Sequence, residues 1–217
     1  MSLRLYSHPF ASFCQKVLIA LYENDTPFEA VLVDLGNPED RAKLAELWPF
    51  AQFPVLRDSA RATTVPESTI IIEYLALHYA GRTALIPSDP DLARETRLLD
   101  RFYDLRVSEP MQKIVGDRLR PPGKDDPEGV LQAQAALRTA YTMIEQSSAT
   151  KTWAMGDAFS MADCAAAPAL YYANLVLPLG DAHPNASAYL QRLCARPSYA
   201  RVLREAEPYL PIFPKPR

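Results

Sequence analysis

Three short stretches of this sequence combine residue types that could hold and activate a small peptide-like ligand. Pro54 opens the short apolar run Phe53-Pro54-Val55-Leu56. A proline there cannot donate to a strand ladder. A cis peptide at that point would turn the Phe53 backbone outward, so that its N–H and C=O pair with an extended ligand as another strand would. An ordinary trans proline in a loop is the alternative; cis is found in only about 5–6% of X–Pro bonds, so Pro54 alone favours the trans reading. Glu67-Ser68 follows Val65-Pro66 and opens an apolar helical stretch. Free amide N–H groups at a helix start favour a carboxylate. Ser68 and the backbone could hold such a carboxylate, and Glu67 an adjacent ammonium, which together suit the amino-acid head of a γ-glutamyl group. Helix capping is the alternative use of the same pair. Ser12 lies where a first strand turns into a first helix. Its hydroxyl, backed by the positive helix end, could donate to a thiolate and lower its pKa, or simply serve as an N-cap.

The elements that would position these residues can be read from periodicity. Residues 3–7 alternate apolar and polar positions and predict a strand. Residues 12–24 carry Phe13, Val17, Leu18 and Leu21 at helical spacing. A second strand follows over 28–33 and a charged helix over 38–47, ended by Trp48-Pro49. Residues 54–57 and 63–65 read as a hairpin around the polar turn 58–62. Residues 67–79 predict a helix through Ile70, Ile71, Tyr74, Leu75 and Tyr79, stopped by Gly81. The order is β-α-β-α-β-β-α. The helix between the first two strands makes them parallel, and the short turn makes the last two antiparallel. This is a thioredoxin-like arrangement over residues 1–80. Residues 81–89, with Pro87 and no periodicity, form a linker. Residues 90–217 read as all-helical, with helices over 90–116 (bent at Pro110), 129–147, 160–177, 185–195 and 197–207. Ser160 and Asp163 form a capping box with Phe159 at the staple position, a structural signal. The fold class is therefore α/β plus all-α.

Composition bounds what the chain does. It has 217 residues, 48% hydrophobic and 23% charged, with a net charge of -3, so nothing marks a basic surface for nucleic acid or an anionic membrane. No stretch reaches the roughly 20 apolar residues that span a bilayer, and the start does not read as a secretory signal. Cys14, Cys164 and Cys194 are odd in number and far apart, which builds neither a disulfide framework nor a zinc site. A cytoplasmic location is the expectation. His8, His78 and His183 have no partner at a ligand spacing, so no metal is expected. Tyr6 reads as core.

In its order and spacing the sequence resembles the cytosolic glutathione transferase superfamily. The resemblance rests on Phe53 to Leu56, on Glu67-Ser68 and on Gly156-Asp157-Ala158-Phe159-Ser160-Met161-Ala162-Asp163. It looks like a bacterial member with serine or cysteine, rather than tyrosine, at the active position. The resemblance implies glutathione as co-substrate, with Ser12 at the sulfur, Phe53 pairing through its backbone, Pro54 as a cis proline, and Glu67 and Ser68 on the γ-glutamyl end. Ser7 and Cys14 compete with Ser12. Cys14 falls about 200° from Ser12 around a helix axis, so it faces the core if Ser12 faces the ligand. Many relatives carry a lysine at the position of Gln52, which weakens or moves the glycyl-carboxylate contact here. Phe10, Tyr103 and Arg106 are the candidates for a second-substrate pocket. A homodimer and a small hydrophobic electrophile are implied as partners. The implied activity is thiolate transfer to that electrophile. Glutathione-dependent peroxide or disulfide reduction, a maleylacetoacetate isomerase-like reaction, and a non-catalytic scaffold are the alternatives.

Overall fold

The structure, a computed structural model, describes residues 2–215. Strand β1 (Leu3–Ser7) buries Leu3, Leu5 and Ser7 and turns Arg4 outward, as period-2 alternation requires. It lies inside a four-stranded sheet of order β2-β1-β3-β4. β2 (Glu29–Leu32) pairs parallel with β1, whereas β3 (Val55–Asp58) is antiparallel to β1 and to β4 (Thr63–Pro66). Both strand pairings expected from the connections are present. Helices α1 (Ser12–Glu23), α2 (Pro38–Leu47) and α3 (Ser68–His78) complete this half. Asn37 caps α2 by accepting from the Glu39 N–H. Gly81 is obligatory for the chain's exit from α3, because a Cβ there would drive into the Asn24 side chain.

The second half is helical, and its first helix, expected over 90–116 with a bend at Pro110, is instead divided by a change of pitch. α4 (Pro90–Phe102) passes into a π-helical segment (Tyr103–Ser108), and α5 (Glu109–Arg118) resumes the α pitch. The cause lies at Pro110. Its ring has no N–H to give and crowds the carbonyl four residues back, so the ladder widens in the preceding turn. Such π-turns recur at functional sites. α6 (Pro127–Ser148) starts two residues before the expected position, since Asp126 caps it by accepting from Gly129 N–H at 2.9 Å. α7 (Met161–Val176), α8 (Pro184–Ala195) and α9 (Pro197–Ala206) follow, then a 3-10 segment (Glu207–Ile212) that periodicity did not reveal.

The halves share one core. Leu3, Leu5 and Leu56 of the sheet belong to the same apolar cluster as Met161, Ala165 and Leu170 of α7. α1 lies between the sheet and the helices, against α3, α7 and α9. Glu23 at its end receives hydrogen bonds from Arg196 at 2.8 and 2.6 Å and from Ser198 at 2.8 Å.

Candidate functional site

A cleft of about 630 Å³ opens between the two halves, a size that suits a small ligand. One wall carries Trp48, Gln52, Phe53 and Pro54 together with Glu67 and Ser68. The Phe53–Pro54 peptide is cis. Glu67 sits at φ 69°, a backbone conformation side chains rarely adopt. It occupies the N-cap position of α3 but its side chain makes no capping hydrogen bond. That removes the capping alternative for Glu67. The helix start, with its unpaired N–H groups, faces the cleft at Ser68.

Ser12 is the first residue of α1, half-buried, with Ala11 rather than Ser12 as N-cap. The cleft lining takes Phe13 from this turn and does not include Ser12. Ser7 is 5% exposed and fixed in β1, where its carbonyl accepts from Val33 N–H at 3.0 Å. Cys14 is fully buried, and burial pushes its thiol up to about 12. Neither residue reaches the cleft.

None of the three second-substrate candidates lines it either. Phe10 packs edge-on against Tyr172 at 5.6 Å and Phe213 at 6.2 Å. Tyr103 is 3% exposed, in the helical core, with its hydroxyl paired to that of Tyr189. Arg106 faces a separate open groove bounded by Pro110, Asp126 and Gln132. The cleft wall is made instead by Arg101, Asp104, Leu105, Glu109 and Gln112. Counting about 100° per residue from Arg101 puts Asp104, Leu105, Glu109 and Gln112 on one face, with Tyr103 and Arg106 off it, so helical spacing itself separates the two sets.

In the sequence Trp48 signals only a helix stop. Its indole Nε1 is buried in the cleft wall near Gln52 and has no hydrogen-bond partner among the described residues. His8 accepts from Phe10 N–H through Nδ1 at 3.2 Å and lies against Phe53 and Tyr209. Burial lowers its pKa. Among the described residues no cluster of metal-ligating side chains occurs.

Residues 5–83 match the family described as glutathione S-transferase, N-terminal domain, and residues 102–197 match glutathione S-transferase, C-terminal domain. The two spans together cover most of the chain. It belongs to the cytosolic glutathione transferase superfamily. Among transferases of this superfamily, glutathione S-transferase GstB of Escherichia coli is 27% identical over 192 residues, 87% of this chain and 91% of that protein. A glutathione S-transferase of Methylobacterium radiotolerans, solved in complex with glutathione sulfonate, is 27% identical, with a TM-score of 0.78 and coverage of 92% and 93%. Another transferase, from Methylobacillus flagellatus and solved with GSH bound, shares the fold at a TM-score of 0.84 and 24% identity, covering 93% of this chain and 98% of its own.

Proposed function

We propose that this chain binds glutathione in the interdomain cleft and joins it, through its thiolate sulfur, to a hydrophobic electrophile. The observation that carries the reading is the uncapped start of α3, with Glu67 held at positive φ, in one cleft wall with the cis Phe53–Pro54 peptide. A scaffold has no use for an open helix end aimed into a cleft. Ser68 and the first N–H groups of α3 take the γ-glutamyl carboxylate, and Glu67 takes its ammonium. The Phe53 backbone pairs with the cysteinyl unit. At the glycyl end exposed Gln52 is the available donor; the unpartnered Trp48 N–H, buried in the same wall, becomes one when the wall shifts on binding.

Ser12, next to the cleft-lining Phe13, is the hydroxyl assigned to the sulfur, so glutathione must extend past that lining to the start of α1. A hydrogen bond to the charged form lowers the thiol pKa. The thiol proton goes to solvent, the thiolate attacks the electrophilic carbon, and the leaving group departs or a ring opens. The protein's part is positioning and charge stabilisation. Cys14, buried with a raised pKa, is a poor partner for a mixed disulfide, which favours transfer over protein-thiol disulfide reduction.

Calorimetric titration of the protein with glutathione tests the binding, and Ser12→Ala tests the chemistry. Saturation at micromolar to low millimolar concentration is expected. Ser12→Ala should lower kcat by about 10- to 150-fold, the worth of a charge-assisted hydrogen bond of roughly 1.5–3 kcal/mol, while the glutathione Kd changes little. No binding at several millimolar would refute the assignment.

The chain pairs as a homodimer through the outer faces of α3 and α4, which Arg97 and Glu73 bridge at 2.7 Å and which expose Leu77 (75%) and Leu98 (62%). Sedimentation at a single 24.2 kDa chain mass would exclude it. Detoxification of electrophiles in the cytoplasm is the setting that fits, with three free thiols in a reducing compartment.

A further inference from the structure

Lys16 on α1 is only 1% exposed. Its Nζ meets three other elements: Thr69 Oγ1 of α3 at 2.8 Å, Asp100 Oδ1 of α4 at 2.7 Å, and Asp104 Oδ2 of the π segment at 2.9 Å. The Thr69 hydroxyl, while accepting from Lys16, donates to Asp100 Oδ2 at 2.7 Å. Asp100 Oδ1 takes no hydrogen bond among the described residues, so the nearby Lys16 charge is what compensates it. Thr69 and Asp104 show their other sides to the cleft, beside Glu67 and Ser68.

Such a cluster is an inefficient way to hold two domains together. Withdrawing each ion from water costs several kcal/mol, and well-packed apolar side chains of similar volume are often at least as stabilising. What apolar contacts lack is direction. A tetrahedral ammonium with a fixed partner on each of three elements sets the rotation of the first turn of α3 against the wall made by α4 and the π segment. That turn carries the ligand-binding pair Glu67-Ser68.

We propose that Lys16 is a positioning residue for the γ-glutamyl subsite, acting through Thr69, Asp100 and Asp104 to hold the start of α3 in its binding orientation. The proposal rests on the glutathione reading above. Its consequence is selective. Loosening the cluster misaligns the glutathione half of the cleft and leaves Leu105, Glu109 and Gln112 in place.

The test compares wild type with Lys16→Met and Asp100→Asn, two positions outside the cleft lining. It measures the glutathione Kd by calorimetry and the KM of each substrate with a small aromatic chloride as electrophile. Expected are a rise of tenfold or more in glutathione Kd and KM for Lys16→Met and of threefold or more for Asp100→Asn. The electrophile KM should stay within twofold in both. A merely structural role would lower Tm without splitting the two KM values. A folded Lys16→Met protein with wild-type glutathione affinity, or with both KM values raised together, overturns the proposal. Should Lys16→Met not fold, Asp100→Asn decides by the same criteria. Wild-type protein that binds no glutathione refutes the proposed function itself, and this inference with it.

Discussion

Glu67 is held in a conformation that costs a side-chain-bearing residue of order 1–3 kcal/mol. With ψ at 121° the residue lies outside the αL and mirror-β regions that glycine favours, so the fold around it, not its type, holds it there. Glu67→Ala should therefore leave the thermal midpoint near that of wild type while weakening glutathione binding by about 1.5–3 kcal/mol, the worth of a hydrogen bond to a charged group; parallel thermal melts and titrations check both. At the other end of the ligand, the unpartnered Trp48 Nε1 makes a prediction of its own. Trp48→Phe should weaken glutathione but leave γ-glutamylcysteine, which lacks the glycyl unit, bound as in wild type. Equal loss for both ligands would place Trp48 elsewhere. The sequence marked Glu67-Ser68 and Phe53-Pro54 because the members of each pair are contiguous; that the two pairs meet in one cleft wall is a property of the fold. Trp48 was not marked, because an indole without a hydrogen-bond partner is a property of the packed state.

Elements show the same division. The box at the start of α7 could be read from Ser160 and Asp163 three residues apart, and Asp163 does accept from Ser160 N–H at 2.9 Å and from the Ser160 hydroxyl at 3.1 Å. The fold adds two donors that spacing cannot show, Ala154 N–H at 2.8 Å and the Tyr189 hydroxyl at 2.6 Å. Burial raises the Asp163 carboxyl, against these four hydrogen bonds. Asp163→Ala would leave several buried donors unpaired, so a loss above about 3 kcal/mol is expected. That corresponds to a midpoint lower by roughly 6–12 °C for a chain this size, readable by calorimetric melting. The π segment is the opposite case. Pro110 marked the right place for an irregularity, but a bend and a phase slip have the same sequence signature. Asp104 and Leu105 of this segment keep helical spacing with Arg101, Glu109 and Gln112 on the cleft wall, while Tyr103 and Arg106 fall off that face.

At the scale of the molecule the two halves are tied by Glu23. Burial alone would raise its carboxyl, but hydrogen bonds from Arg196 and Ser198 overcome that and hold it below its ordinary value of 4.5. A carboxyl with a depressed folded-state pKa stabilises fully above its unfolded pKa, and that stability is lost as pH falls through the folded value. The thermal midpoint should thus drop on acidification below about pH 4.5, and Arg196→Ala, less stable at neutral pH, should lose less over that range. Thermal melts across pH 3–7 measure both. The two-domain order was visible in the switch from mixed to purely helical periodicity. Their mutual burial was not, since nothing local marks α1 as a helix covered on every side. That burial bears on how the chain is made. Residues 14–21 of α1 are all inaccessible in the finished fold, yet α7 and α9, which cover them, lie far down the chain from α1 and leave the ribosome long after it. At about 5–20 residues per second the wait is on the order of ten to forty seconds. For that interval the nascent chain carries a completed apolar helix with no lid, a natural client for ribosome-associated chaperones and the point at which crowded, rapid expression would divert it into inclusion bodies.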